Sequence, residues 1–157
     1  MLYLDTSLLV AALINETETE RMQRWLGRQA EDDLAISDWV VTEFSSALSI
    51  KLRAGHIEPA HRADALAMFA RLITDNFLVV PVSRLHFRTA ARFADQHLLR
   101  LRAGDALHLA VCADHGATLC TLDRGVSDAG SALGKSLARR TISSNECAFI
   151  RLPAPTR

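Results

Sequence analysis

No apolar run in this chain is long enough to cross a bilayer; the longest, Leu8 to Ile14, falls far short of the roughly 20 residues a spanning helix needs. An excess of one charge is missing too. The 18 basic and 18 acidic residues cancel, so no global basic field marks a chain that holds nucleic acid by counterion release alone. Neutrality still allows a metal in an acidic pocket to supply the positive charge, with a few arginines around it. Cysteine is scarce and odd in number. Cys112, Cys120 and Cys147 are scattered and mostly set among apolar neighbours, which reads as reduced thiols and excludes a disulfide framework or a zinc cluster. The opening Met1-Leu-Tyr-Leu-Asp5 lacks a basic segment and meets an acid at once, so no secretory signal is expected and the cytoplasm is the expected location. There is no internal repeat, low-complexity tract or linker.

What is present is the composition of an ordinary globular domain, 157 residues with 49% apolar and 23% charged side chains. One domain over residues 1–152 is expected, with a frayed tail over 153–157. Leu2 to Leu4 read as a buried strand, followed by the polar turn Asp5-Thr6-Ser7 and a helix through Ile14. Thr17 and Glu20 have the spacing of a capping box ahead of a helix burying Met22, Trp25 and Leu26. A second strand, Leu34 to Ile36, ends at Ser37, which can cap a helix from about Asp38 to Arg53; Gly55 stops it. Pro59 suits the first turn of the next helix, which runs to about Asp75, and Phe77 to Val80 form a third strand. Ser83 can cap a helix reaching about Leu99. Gly104-Asp105 open another that ends before Gly116. Thr118 to Leu122 are the fourth strand, Arg124 to Leu133 a short helix, and Arg139 to Ile142 an edge-strand candidate. Short apolar strands alternating with helices predict an α/β fold: a three-layer α/β/α arrangement with a mostly parallel sheet, whose ligands gather at the carboxyl ends of the strands.

Four acids stand out against that frame. Asp5 follows the first strand and Asp123 the fourth; either alone is as readily a helix cap as a ligand. Glu43 lies on the apolar stripe of its helix, three residues after Val40 and beside Phe44. A carboxylate turned towards a core must be paired, protonated or bound to metal, or else snorkel to solvent. Asp105 sits in the first turn of an apolar helix, where the dipole favours its charge and a plain cap is again open. All four come from segments that can converge on one end of the sheet, and together they repel unless a divalent cation lies between them. Oxygen ligands without a His or Cys cluster suit magnesium or manganese. Such a site performs phosphoryl-transfer chemistry with an activated water and requires no protein nucleophile.

Leu4-Asp5-Thr6-Ser7, Val41-Thr42-Glu43-Phe44, Arg102-Ala-Gly-Asp105-Ala-Leu-His108 and Thr121-Leu-Asp123, in this order and spacing, resemble a PIN domain over nearly the whole chain. The closer likeness is to a VapC-type toxin of a bacterial type II toxin–antitoxin system. That resemblance implies a five-stranded parallel sheet between helices and an endoribonuclease using Mg2+ or Mn2+. It also implies a homodimer and a VapB-type antitoxin whose tail blocks the acidic groove. By position Asp5, Glu43, Asp105 and Asp123 take the family's metal-binding acids, with Thr6 and Thr121 as the neighbouring hydroxyls. Asp128 is a weaker candidate for a second metal, with a solvated helix position as the alternative.

Arg102 and Arg124 are the preferred phosphate contacts, ahead of Arg100, Lys51 and Arg53, because a guanidinium matches phosphate geometry. Of the six histidines only His108, three residues after Asp105, falls near the site, and it reads as a core or helix-surface residue. His115 suits its helix C-terminus. Trp25, Trp39 and Phe44 read as core rather than base-stacking residues, and Asp38, Asp64, Asp75, Asp95 and Asp114 as surface charges. Three rival functions are a phospho-acceptor regulator, a PIN-fold binding or regulatory subunit without catalysis, and a DNA-directed nuclease. The first wants an aspartate after strand three, where this chain has Val80-Pro81.

Overall fold

The computed structural model describes residues 1–14, 17–30, 33–134 and 148–151. Its five strands are β1 (Leu2–Leu4), β2 (Leu34–Ser37), β3 (Leu78–Val80), β4 (Thr118–Thr121) and β5 (Ala148–Arg151), in the spatial order β3-β2-β1-β4-β5. The first four are parallel, and β5 pairs antiparallel with β4 at one edge. The fifth strand thus runs opposite to the parallel arrangement the resemblance implies, and it falls on 148–151. The 139–142 candidate lies outside the described residues.

Every side chain of β2 is buried, and all but the first of β4. Since successive side chains point to opposite faces, both faces of the sheet are covered by helix. The helices are α1 (Thr6–Leu13), α2 (Thr19–Leu26), α3 (Asp38–Arg53), α4 (Pro59–Asn76), α5 (Arg84–Ala94), α6 (Ala103–His115) and α7 (Arg124–Leu133). One apolar core runs through β1, α1, α3 and β4, where Phe44 of α3 meets Phe69 of α4 with ring centroids 4.2 Å apart. Cys112 and Cys120 are buried in it. Among the described residues no helix is long and apolar enough to cross a membrane.

Helix boundaries follow their punctuation. Gly116 ends α6 at φ +58° and Gly55 follows α3 at φ +71°, backbone that costs a side chain about 1 kcal/mol or more. Ser83 caps α5 in a reciprocal box with His86. Two expected caps are not formed. The Thr17–Glu20 box is not formed: α2 starts at Thr19 with no side-chain cap, and the Thr19 hydroxyl donates to the carbonyls of Ala11 and Ile14 at the end of α1. Ser37 has the extended backbone of an N-cap, but its hydroxyl is taken by Tyr3 at 2.6 Å instead of by an amide of α3. Trp25 and Phe44 are core residues as expected; Trp39 is only partly buried and packs on the smaller cluster between α5 and α6.

Candidate active site

Because β1 and β4 are adjacent and parallel, their carboxyl ends open on one edge of the sheet, and Asp5 and Thr121 arrive there together. Asp5 is the N-cap of α1 and accepts the Ser7 amide at 3.2 Å. Its Oδ2 also accepts from the hydroxyls of Ser7, at 3.0 Å, and Thr121. The same two hydroxyls take the backbone amides of Leu122 and Asp123, at 3.1 and 3.0 Å. Asp5 is thereby held rigidly while being only 6% exposed, a position in which an ionised carboxylate needs compensation.

Glu43, in the second turn of α3, reaches the same place. Its Oε2 accepts from Thr6 Oγ1 at 2.5 Å and from His108 Nε2 at 2.7 Å. Its Oε1 faces Gly104 of α6, where a Cβ would lie 2.8 Å from that oxygen and 3.5 Å from the Trp39 indole. A side chain there would force the Glu43 carboxylate to shift, so glycine is favoured by close approach and not by backbone conformation. His108 is fully enclosed, with Nε2 also 3.6 Å from Asp5 Oδ1 and Nδ1 3.1 Å from the Tyr3 hydroxyl. Its reading as a core residue is right about burial and misses its contacts. It sits one helical turn after Asp105, and that i,i+3 spacing was the available signal.

Asp105 and Asp123 do what their positions at helix starts allow. Asp105 Oδ2 accepts the Arg102 amide at 3.0 Å, and Asp123 Oδ1 the Val126 amide at 3.1 Å. Capping does not use them up, since each keeps its second oxygen free of hydrogen bonds among the described residues. The ligand atoms of Asp5, Glu43 and His108 all lie within 4.8 Å of one another, and Asp105 and Asp123 stand outside this tight group. Charge still links them: burial first, then the negative charges of Asp123 and Asp5, push the Asp105 carboxyl up, against the Arg102 amide bond and His108. Arg102 and Arg124 are exposed beside Asp105 and Asp123, and Asp128 is exposed on α7.

The electrostatics separate the members. Burial would raise the Glu43 carboxyl, but the His108 hydrogen bond and charge and the Thr6 hydroxyl outweigh it and hold it low. Burial would likewise lower His108, but the Glu43 hydrogen bond and the charges of Asp5, Glu43 and Asp105 hold it high. One imidazolium cannot balance four carboxylates. The donor chemistry therefore fits a hard divalent cation: Asp5, Glu43, Asp105 and Asp123 present oxygen atoms, three of them with one oxygen anchored and one available. A second group, His86, Asp114 and His115, does not fit. His86 Nδ1 accepts the Ser83 amide at 3.1 Å, so its Nε2 carries the hydrogen that meets Asp114 at 2.9 Å and has no lone pair for a metal. That histidine ties the start of α5 to the end of α6. Asp114, read as a surface charge, is exposed but is its partner.

The model of the PIN domain family matches residues 2–131. No curated protein matches the sequence. Among solved structures, the chain is similar in fold to VapC20 of Mycobacterium tuberculosis, described as a sarcin-ricin loop cleaving toxin, with TM-score 0.68 and 22% identity over 83% of this chain and 95% of that one. FitAcB from Neisseria gonorrhoeae gives 0.63 and 23% over 82% and 92%. VapBC2 from Rickettsia felis, bound to a promoter DNA fragment, gives 0.55 and 16% over 78% and 88%.

Two outcomes are expected. A histidine held high stabilises below its unfolded pKa of about 6.5 and loses that contribution as pH rises through the folded value. A glutamate held low stabilises above about 4.3 and loses it as pH falls through the folded value. In chelator, the melting temperature should therefore decline as pH is raised from about 6.5 towards 9, and His108→Gln should flatten that decline; a wild-type midpoint rising over this range would contradict the pairing. Gly104→Ala should lose about 1–3 kcal/mol in urea unfolding, because the Glu43 carboxylate that must move is pinned by Thr6 and His108. A gain of about 1 kcal/mol, the ordinary helix-propensity benefit of alanine, would show that Glu43 yields freely.

Proposed function

The chain belongs to the PIN domain family, and we propose that it is an Mg2+- or Mn2+-dependent endoribonuclease acting as the toxin of a VapC-type toxin–antitoxin pair. The observation that carries this reading is the close approach of buried Asp5 and half-buried Glu43 at the carboxyl end of β1, with Asp105 and Asp123 charging the same edge. No structural role of the fold requires that repulsion. The four acids are the proposed ligands. When bound, a hard divalent cation lowers the pKa of a water and offsets charge on the phosphate.

The chain's own residues do the rest. Thr121 and Ser7 fix Asp5, and Thr6 fixes Glu43, so the oxygens are oriented before any ligand arrives. The exposure of Arg102 and Arg124 at the starts of α6 and α7 supports them as phosphate contacts for an RNA backbone lying across the acids. The hydroxyls beside the carboxylates, Thr6, Ser7 and Thr121, are engaged as donors to Glu43 and Asp5, so direct attack by water is the reaction the set supports. The RNA substrate and the VapB-type antitoxin are supported by what the similar folds are described as doing. A homodimer is supported by apolar surface at Leu85 and Phe87 of α5 and at Leu78 and Val79 of the edge strand β3. All five strands join one sheet in the order β3-β2-β1-β4-β5, which favours a single domain over 1–152, with the proposed tail at 153–157.

Cleavage of mixed RNA by partner-free protein tests the reading. Activity is expected with Mg2+ or Mn2+ and should vanish with chelator. Asp5→Asn and Asp105→Asn should each lower it at least about 100-fold, since even residues that only support a metal's ligands matter by 10–100-fold. Their far-ultraviolet circular dichroism should be unchanged. RNA left intact in both metals would favour the non-catalytic subunit, and preferential cutting of single-stranded DNA of the same sequence would favour the DNA-directed nuclease.

A further inference from the structure

Beyond the four acids, the site contains a buried chain of polar groups to which the proposed reaction gives no part. Ser37 Oγ lies 2.6 Å from the Tyr3 hydroxyl, which lies 3.1 Å from His108 Nδ1; His108 Nε2 in turn lies 2.7 Å from Glu43 Oε2. Ser37, Tyr3 and His108 are all enclosed, at 0%, 0% and 2% exposure, so each must satisfy the others. Resting on the metal-centre reading above, we propose that His108 is a positioning residue that holds Glu43 by a permanent Nε2–H donor, the Glu43 carboxylate keeping the hydrogen on that nitrogen while Tyr3 and Ser37 satisfy Nδ1 in either ring state, so His108 is not itself a metal ligand.

The hydrogen-bond rules decide which nitrogen carries the hydrogen. A carboxylate only accepts, so Nε2 must donate to Glu43. If the ring is neutral, Nδ1 is an acceptor; the Tyr3 hydroxyl donates to it and Ser37 donates to Tyr3. If the ring is charged, Nδ1 donates to the Tyr3 oxygen and Tyr3 donates to Ser37. Two hydroxyls can reverse direction, whereas a carbonyl or an amide at Nδ1 would have allowed only one state. In both states Nε2 keeps its hydrogen, and with it no lone pair for a cation. Asp5, Glu43 and His108 form a group close enough to surround an ion, but only the two acids offer it electrons. With Thr6 on the other side of Oε2 and Gly104 against Oε1, Glu43 is confined on three sides, two of them supplied by α6. Supporting residues of this kind orient ligands and set affinity without touching the ion.

The test is nitrogen-15 NMR of the wild-type protein, which needs no variant to fold. His108 Nε2 should be protonated in metal-free protein and stay protonated when Mg2+ is added. An unprotonated Nε2 in the free protein, or loss of its hydrogen on Mg2+ addition, would make it a ligand and overturn the proposal. Mn2+ titrations give the second readout: His108→Leu should bind about 10–100-fold more weakly, and His108→Gln, which keeps an N–H donor near the Nε2 position, should recover most of the loss. Wild-type affinity in His108→Leu would remove the positioning role. If His108→Leu does not fold, Tyr3→Phe replaces it, with weaker binding expected and unchanged binding contradicting the role of the hydroxyl. Wild-type protein that binds neither metal sinks the metal-centre reading alone, because the protonation of Nε2 beside Glu43 is still read in the metal-free spectra.

Discussion

Like charges forced together at the carboxyl edge of two parallel strands are the constraint on which the rest of this molecule depends. The pairing of β1 with β4 puts Asp5 beside Thr121, and α3 and α6 bring Glu43 and Asp105 to the same edge. Asp5 and Glu43 offer oxygens at most 4.8 Å apart, and two ionised groups that close repel by at least about 3.5 kcal/mol at an effective dielectric of about 20 before the His108 ring between them offsets it. That is a large share of the ~5–15 kcal/mol by which a domain of this kind is stable. A fold that tolerates such a term must recover it elsewhere.

Part of the recovery is local. Thr6, Ser7 and Thr121 give hydroxyl hydrogens to Asp5 and Glu43, and the starts of α6 and α7 give backbone amides to Asp105 and Asp123. These bonds also fix where each carboxylate points. His108 adds charge compensation, which is why its ring is held high and Glu43 low. Asp105 is the member left raised, by burial and the charges of Asp123 and Asp5, and that is what the proposed divalent cation would offset. Stability without the ion and geometry for the ion thus oppose each other in the same few side chains, a trade-off familiar from catalytic centres.

Much of this arrangement was legible in the residues. Asp5 and Asp123 could be read from their places after apolar strands, and Glu43 from the misfit of a carboxylate on an apolar helix stripe. Gly116 and Pro59 marked helix ends by backbone chemistry alone. Residues whose roles depend on distant partners were not legible. Ser37 reads as a cap because a serine stands between an apolar strand and a helix, yet Tyr3, 34 positions earlier, takes its hydroxyl. His108 looked like core because its neighbours in sequence are apolar, while its partners Tyr3 and Glu43 come from β1 and α3. The start of α2 was not legible either: it falls at Thr19, whose hydroxyl binds a carbonyl of α1, and not after a Thr17 cap. The orientation of the fifth strand is set by pairing with β4, which no local pattern encodes.

Thermal unfolding of the wild-type protein in chelator and then in millimolar Mg2+, at fixed pH near 7, tests the central claim most directly. A cation that joins four mutually repelling carboxylates in the folded state alone must raise the midpoint, by about 2.7 kcal/mol of stability once its concentration reaches 100 times the dissociation constant. An upward shift that saturates with Mg2+, and that an equal ionic strength of Na+ does not reproduce, is the result expected. A midpoint indifferent to Mg2+ and Mn2+ would mean that the acids meet without a metal between them.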